Sequence, residues 1–215
     1  LQYSAIFSKT FFELLARGAQ PVLRTLPDPP GSERLMTDAA EQLHEQLLVL
    51  RCQAGDEGAF EELVARYHPR LRYYLRRMLP RPDHADDVLQ EVWLAVFRAL
   101  PRLANPAALA AWLYRIARDK TAVQWRGRTP DRLFDVSDLV EEPSHDDGFR
   151  EEDAQEIHAS LDLLPPEQRE VLVLRFLEDM TYEQIAKVTG CPIGTVRSRL
   201  YYAKAALRKA IEERK

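Results

Sequence analysis

Through two long blocks of this chain the apolar side chains recur at three- and four-residue steps, and hardly anywhere do they alternate. That period belongs to helices and confines the chain to an all-α architecture. In the first block Phe60, Leu63, Val64, Tyr67, Leu71, Leu75 and Met78 form one stripe, with Pro69 expected to bend or restart its helix. Val88, Leu89, Val92, Val96 and Leu100 form the next. Asp83 reads as its N-cap, and Asp86 and Asp87 fall in a first turn where the helix dipole favours acids. Asn105-Pro106 sets a capping residue before a proline and opens a helix through about Arg126. In the second block the period resumes near Ile157, breaks at Pro165-Pro166, runs over 167–178, and returns in helices predicted at 182–188 and 192–212.

Between the blocks, residues 129–156 hold 2 basic against 11 acidic side chains, with proline, glycine and few apolar groups. Such a segment cannot bury enough surface to order itself and reads as a flexible acidic linker. The chain's net charge of −4 therefore hides two mildly basic blocks, and it does not argue against nucleic acid. Ahead of the blocks, a short amphipathic stretch at 5–16 is followed by Pro21, Pro27, Pro29 and Pro30. Residues 1–35 are expected to be a flexible extension, with ordinary helical sequence starting at Met36. The predicted organisation is extension 1–35, helical domain 36–128, linker 129–156 and helical domain 157–215.

Several function classes fall away. No apolar run approaches the roughly 18–20 residues that span a bilayer, so no stable membrane insertion is expected. Cys52 and Cys191 have no second thiol at metal spacing, which fits a reducing cytoplasm. His44, His68, His84, His145 and His158 show no ligand spacing, and no glycine-rich phosphate loop is present. The expectation is no metal, no cofactor, no catalytic residue and no enzymatic activity.

The segment TYEQIAKVTGCPIGTVRSRL has the spacing of a helix-turn-helix. Thr181 and Gln184 form a capping box, Ala186 is small where a second helix crosses, and Gly190 stands where the turn needs positive φ. Val196 packs back from the second helix, and Pro192 suits its first turn. The outward positions Thr195, Arg197, Ser198, Arg199 and Tyr202 form a face of hydroxyls and guanidinium groups suited to groove edges and phosphates.

The first block carries two further faces. Asp87, Gln90, Glu91 and Leu94 lie at steps of three and four, opposite a buried stripe; periodicity alone reads them equally as a solvated face. In the next helix Arg115, Arg118, Ala122 and Arg126 share one side, and Leu113, Ile116 and Val123 another. A small residue between arginines lets a phosphate backbone approach, with counterion release supplying affinity. Trp112, Tyr114 and Trp125 interleave with these arginines and suit either base stacking or the core.

LPPEQREVLVLRFLEDMTYEQIAKVTGCPIGTVRSRL resembles region four of the extracytoplasmic-function (ECF) sigma factors, through Leu164-Pro165, Arg169, Val171, Gln184-Ile185-Ala186 and 194–199. DHADDVLQEVWLAVFRAL and AAWLYRIARDKTAVQWRGR resemble region two of the same family. The resemblance implies a sigma factor that binds core RNA polymerase and directs it to promoter DNA. Asp87, Gln90, Glu91 and Leu94 would meet the clamp helices of the β′ subunit. Arg115, Arg118, Asp119, Ala122, Trp125 and Arg126 would recognise and melt the −10 element, and Thr195, Arg197, Ser198, Arg199 and Tyr202 would hold the −35 element. It also implies an anti-sigma protein as a further partner. Two positions depart from the family: Asp119, where Asn is frequent, and Tyr202, where Arg is common. A carboxylate near phosphates is unfavourable unless it pairs with Arg115 or accepts from a base amino group. The alternative is a free-standing helix-turn-helix regulator, which would need a dimer surface; the last helix offers only Tyr201, Ala205, Leu207 and Ile211.

Overall fold

The structure, a computed structural model, describes residues 31–125 and 160–212. Every regular element among them is helical. The first four helices are α1 (Gly31–Gln53), α2 (Glu57–Met78), α3 (Ala85–Ala99) and α4 (Leu109–Trp125). α2 packs between α1 and α3, and α3 lies on α4. The stripe predicted on α2 is buried apart from half-buried Phe60, and Val88, Leu89, Val92, Val96 and Leu100 are all buried against it. Trp93, one residue off the α3 stripe, is also fully buried and meets Phe60 edge to face at 6.2 Å. The Gln53 side chain donates to the carbonyls of Leu100 and Leu103 at 3.1 and 2.9 Å, which ties the end of α1 to the turn between α3 and α4.

Three expected boundaries move. α1 begins at Gly31 rather than Met36, so the helical sequence reaches five residues further back than its apolar pattern indicated. α2 runs unbroken through Pro69. The lost N–H bond is outweighed by burial on either side, where Tyr67 and Leu71 are fully enclosed. Asp83 does not cap α3; it lies inside a 3-10 turn, Pro82–His84, and α3 starts at Ala85 with no side-chain cap. Pro82 sets φ for that turn and so moves the start of regular structure ahead of Asp83. Asn105 does cap as predicted, accepting from the Ala107 N–H at 3.1 Å, although a 3-10 turn (Pro106–Ala108) precedes α4.

The second group comprises α5 (Pro166–Leu172), extended by a π-helical turn at Val173–Leu177, then α6 (Tyr182–Thr189) and α7 (Ile193–Glu212). The capping box closes as predicted: the Gln184 N–H donates to Thr181 Oγ1 at 3.3 Å, and the Thr181 N–H to Gln184 Oε1 at 2.8 Å. Val171, Leu174, Ile185, Val188, Val196 and Ala203 are fully enclosed and form this group's core. No helix among the described residues is long and apolar enough to cross a membrane.

The two groups touch. α4 lies along α6, and α2 meets α5. Their contact is rich in charge: Arg70 pairs with Glu178 at 2.6 Å, Arg118 with Glu170 at 3.0 Å, and Arg77 with Asp162. Arg169 reaches the other way, donating to the Arg77 carbonyl at 2.6 Å. The acidic segment 129–156 lies outside the described residues, as does the extension up to residue 30.

Replacing Trp93 by Ala removes the largest fully buried side chain and its contact with Phe60. The expected loss is about 3–5 kcal/mol of stability, read from a denaturant midpoint.

Candidate partner and nucleic-acid interfaces

α3 has two sides of different chemistry. Its apolar stripe faces α2 and α4, which turns Asp87, Gln90, Glu91 and Leu94 outward along the opposite side. All four are exposed, Leu94 by 37%. The neighbouring acid has a different task. Asp86 accepts two hydrogen bonds from Arg72 of α2, at 2.6 and 3.0 Å, and this partner holds its carboxyl below the ordinary range. Glu91 is paired with Lys120 of α4 at 3.1 Å, so the patch is fixed to the α3–α4 packing at one point.

On α4 the predicted face is not presented to solvent alone. Arg115 donates to the Lys187 carbonyl at 2.8 Å and pairs with Asp119, one helical turn on, at 3.4 Å. The carboxylate that departs from the family pattern is thus held by the same helix's own arginine. Arg118 donates to Glu170 Oε1, which also accepts from the Tyr74 hydroxyl at 2.7 Å. Ala122 is exposed; the Trp125 side chain and all of Arg126 lie outside the described residues. Of the aromatics open to either role, Tyr114 is fully buried and meets Tyr74 edge to face at 5.2 Å, so it cannot stack on a base while the core is intact. Trp112 is half-buried against the core. Val123, assigned to the apolar side, is 50% exposed.

The recognition helix α7 follows the turn built by Gly190, whose φ of 69° and N–H bond to the Ala186 carbonyl end α6. Arg197 is exposed, while Thr195, Ser198, Arg199 and Tyr202 are half-buried. Ser198 turns its hydroxyl back to the Thr195 carbonyl at 3.1 Å. Arg199 leans toward the Cys191 sulfur, 3.9 Å away, and Tyr202 packs edge to face on Tyr201. At Gly194 an added Cβ would meet nothing within 4 Å, so the start of this helix is open on that side.

Glu170, Glu178, Arg70 and Tyr74 were not singled out as site residues from the sequence, yet they surround the α4 face. Glu178 is the most enclosed, with 3% of its side chain exposed. Burial pushes its carboxyl up from the ordinary value, against the opposing pull of Arg70 and Tyr114. One signal was available: Glu170 stands three and four residues before Val173 and Leu174, on a buried side of its helix.

Comparison with known proteins bears on these three faces. Residues 63–130 match the model for Sigma-70 region 2, and 154–207 that for Sigma-70, region 4. The chain is 34% identical over 186 residues to the ECF RNA polymerase sigma-E factor of Escherichia coli K12, covering 80% of this chain and 97% of that one. It is 36% identical over 185 residues to the RNA polymerase sigma-H factor of Pseudomonas aeruginosa, covering 80% and 95%. The chain belongs to the ECF sigma-factor family. Among solved structures it is similar to CnrH in complex with the cytosolic domain of CnrY (TM-score 0.58, 26% identity, 79% and 97% covered). It is similar too to the sigma factor RpoE in complex with the anti-sigma factor NepR from Bartonella quintana (TM-score 0.56, 25% identity, 71% and 96% covered).

As an ECF sigma factor the protein is a transcription initiation factor that directs RNA polymerase to promoters, and its family is not an enzyme family. The free-standing regulator is set aside, because a helix-turn-helix alone would leave the region-two match without a purpose. Gly190→Ala should destabilise the helix-turn-helix by about 1–2 kcal/mol through backbone strain alone, since the added methyl meets only Arg115 at 3.9 Å. Urea unfolding measures it.

Proposed function

We propose that the three faces divide the work of initiation as the family pattern implies. The α3 patch of Asp87, Gln90, Glu91 and Leu94 docks on the β′ clamp helices of core RNA polymerase. The α4 face of Arg115, Arg118, Asp119 and Ala122, continued by Trp125 and Arg126, takes the −10 element and helps open it. Thr195, Arg197, Ser198, Arg199 and Tyr202 of α7 hold the −35 element in the major groove. The protein acts in the cytoplasm, carries no catalytic chemistry of its own, and takes an anti-sigma partner of the kind seen with RpoE.

The observation that carries the docking assignment is that α3 exposes Leu94 beside two carboxylates and an amide, while its other side is sealed in the core. An exposed apolar group ringed by polar ones suits the centre of a small interface. Asp87→Ala and Gln90→Ala should weaken core-polymerase binding in a pull-down and leave helical content unchanged. Normal holoenzyme formation by both variants removes the patch from the mechanism.

On α7, a bidentate arginine–guanine pair discriminates by about 1–3 kcal/mol, whereas a phosphate contact adds mainly salt-dependent affinity. Arg197 is exposed and Arg199 half-buried. Arg→Ala at each position, measured in holoenzyme over a promoter library and a salt series, separates the two roles. If neither substitution changes preference or affinity, α7 does not read the groove.

A further inference from the structure

α1 carries more apolar surface than its packing uses. It buries Leu48 and Val49, yet along another side Ala40, Leu43, Leu47, Leu50 and Ala54 are all exposed, the three leucines by 67%, 55% and 51%. Their steps are three, four, three and four, the repeat of a seam that receives another helix. No other helix among the described residues exposes three large apolar side chains. The contacts of α1 with α2, α4 and the turns at 100–102 and 106–108 leave this line open. We propose that residues 5–16 of the same chain form a helix that lies antiparallel along α1 and closes the seam, with Phe7, Phe11 and Leu14 set against Leu50, Leu47 and Leu43. The extension thereby adds a fifth helix to the N-terminal domain and keeps the chain from associating with itself through the leucines.

Spacing, reach and concentration all favour this occupant. Phe7, Phe11 and Leu14 stand at steps of four and three, as do Leu43, Leu47 and Leu50, so each set covers about 10 Å of helix. On a helix Leu15 widens that apolar side, while Lys9 and Glu13 fall on the opposite one. Ala54, small beyond Leu50, leaves room for a phenylalanine ring. Pro21, Pro27, Pro29 and Pro30 oppose a single helix running from this stretch into α1, so the chain turns between them. Leu43 lies about 18 Å along α1 from its start, and residues 17–30 can span up to roughly 46 Å. A segment tethered in this way meets the seam at a roughly millimolar effective concentration, which a second copy of the chain does not reach in dilute solution.

Closing the seam strands no charge. The polar groups that flank it are already satisfied inside the domain: His44 is hydrogen-bonded to Glu62 at 2.7 Å, and Arg51 donates to Asp56 at 2.8 Å. What water loses is the leucine surface alone, the kind of burial that favours association without a polar cost. The seam is also separate from the three faces on α3, α4 and α7, so covering it takes nothing from polymerase or DNA.

The test uses the full chain, with amide hydrogen exchange read by mass spectrometry and molecular mass by sedimentation velocity. In the parent chain the amides of residues 5–16 should exchange about tenfold or more slower than in a synthetic peptide of the same residues, and the chain should sediment as a monomer. Phe11→Asp and Leu47→Asp, one on each side of the contact, should each abolish that protection and leave helical content in the four-helix core unchanged. Phe11→Lys combined with Leu47→Glu should recover part of the protection that each substitution loses alone. Phe11→Asp, which uncovers the leucines, should self-associate as concentration rises, whereas Leu47→Asp should not. Unprotected amides at 5–16 in the parent chain overturn the proposal, as does protection there that Leu47→Asp leaves unchanged. A parent dimer that Leu47→Asp splits, with 5–16 unprotected, overturns it in favour of a second copy on the seam. A Phe11→Asp chain that stays monomeric at every concentration overturns the guard against self-association.

Discussion

One carboxylate oxygen organises the junction of this molecule. Glu170 Oε1 accepts from Tyr74, a core residue of α2, and from Arg118, on the outer side of α4. Both donors lie in the N-terminal helices, and the acceptor lies on a helix of the C-terminal domain, 96 and 52 residues away in sequence. A buried acid without such partners would cost several kcal/mol or take up a proton. The enclosed acids of the C-terminal group are therefore satisfied by arginines of the N-terminal helices. Apolar burial runs as one continuous core through both groups, and the ion pairs line the contact where one rests on the other.

This separation of tasks explains why the faces behave differently. α3 commits its apolar side entirely to the core and leaves a polar side with a single leucine in solvent. α4 is amphipathic in a second sense, since its outer side is charged and that charge is neutralised within the molecule. Lys120 pairs with Glu91, Asp119 with Arg115, and Glu170 with Arg118. The Asp119 pairing also shows how a carboxylate can sit on a face proposed to meet phosphates. It is one turn from a guanidinium that offsets it and that can turn to another acceptor without breaking the helix.

What could be read from the sequence was local. The capping box of Thr181 and Gln184, the positive φ of Gly190 and the burial of Val196 follow from residues within a few positions of one another, and each is present in the structure. The i,i+4 pairing of Arg115 with Asp119 was open to the same reasoning. The failures have physical causes as specific as the successes. Asp83 looked like a cap, but Pro82 started a 3-10 turn first. Pro69 looked like a break, but the buried stripe on both sides outweighed one missing hydrogen bond. Tyr114 stood between arginines and could have served either face; only the position of Tyr74 on a neighbouring helix decides that its ring points inward. Contacts such as Arg70–Glu178 and Arg169 with the Arg77 carbonyl depend on how two domains dock across an intervening segment, and no periodicity within either domain encodes that.

The arginines at the junction limit how tightly the two groups can hold one another. Enclosing Glu170 further would raise the desolvation cost of its carboxylate as fast as its attraction to Arg118 grows. The workable arrangement is a small number of enclosed acids, each already partnered, and Glu170 on α5 and Glu178 just after the turn that follows it are of that kind. Because α5 also packs on α7, the same short helix carries the acid that meets α4 and an apolar side that supports the last helix. Charge and burial are thereby kept on separate sides of one helix, and neither is spent on the other's task.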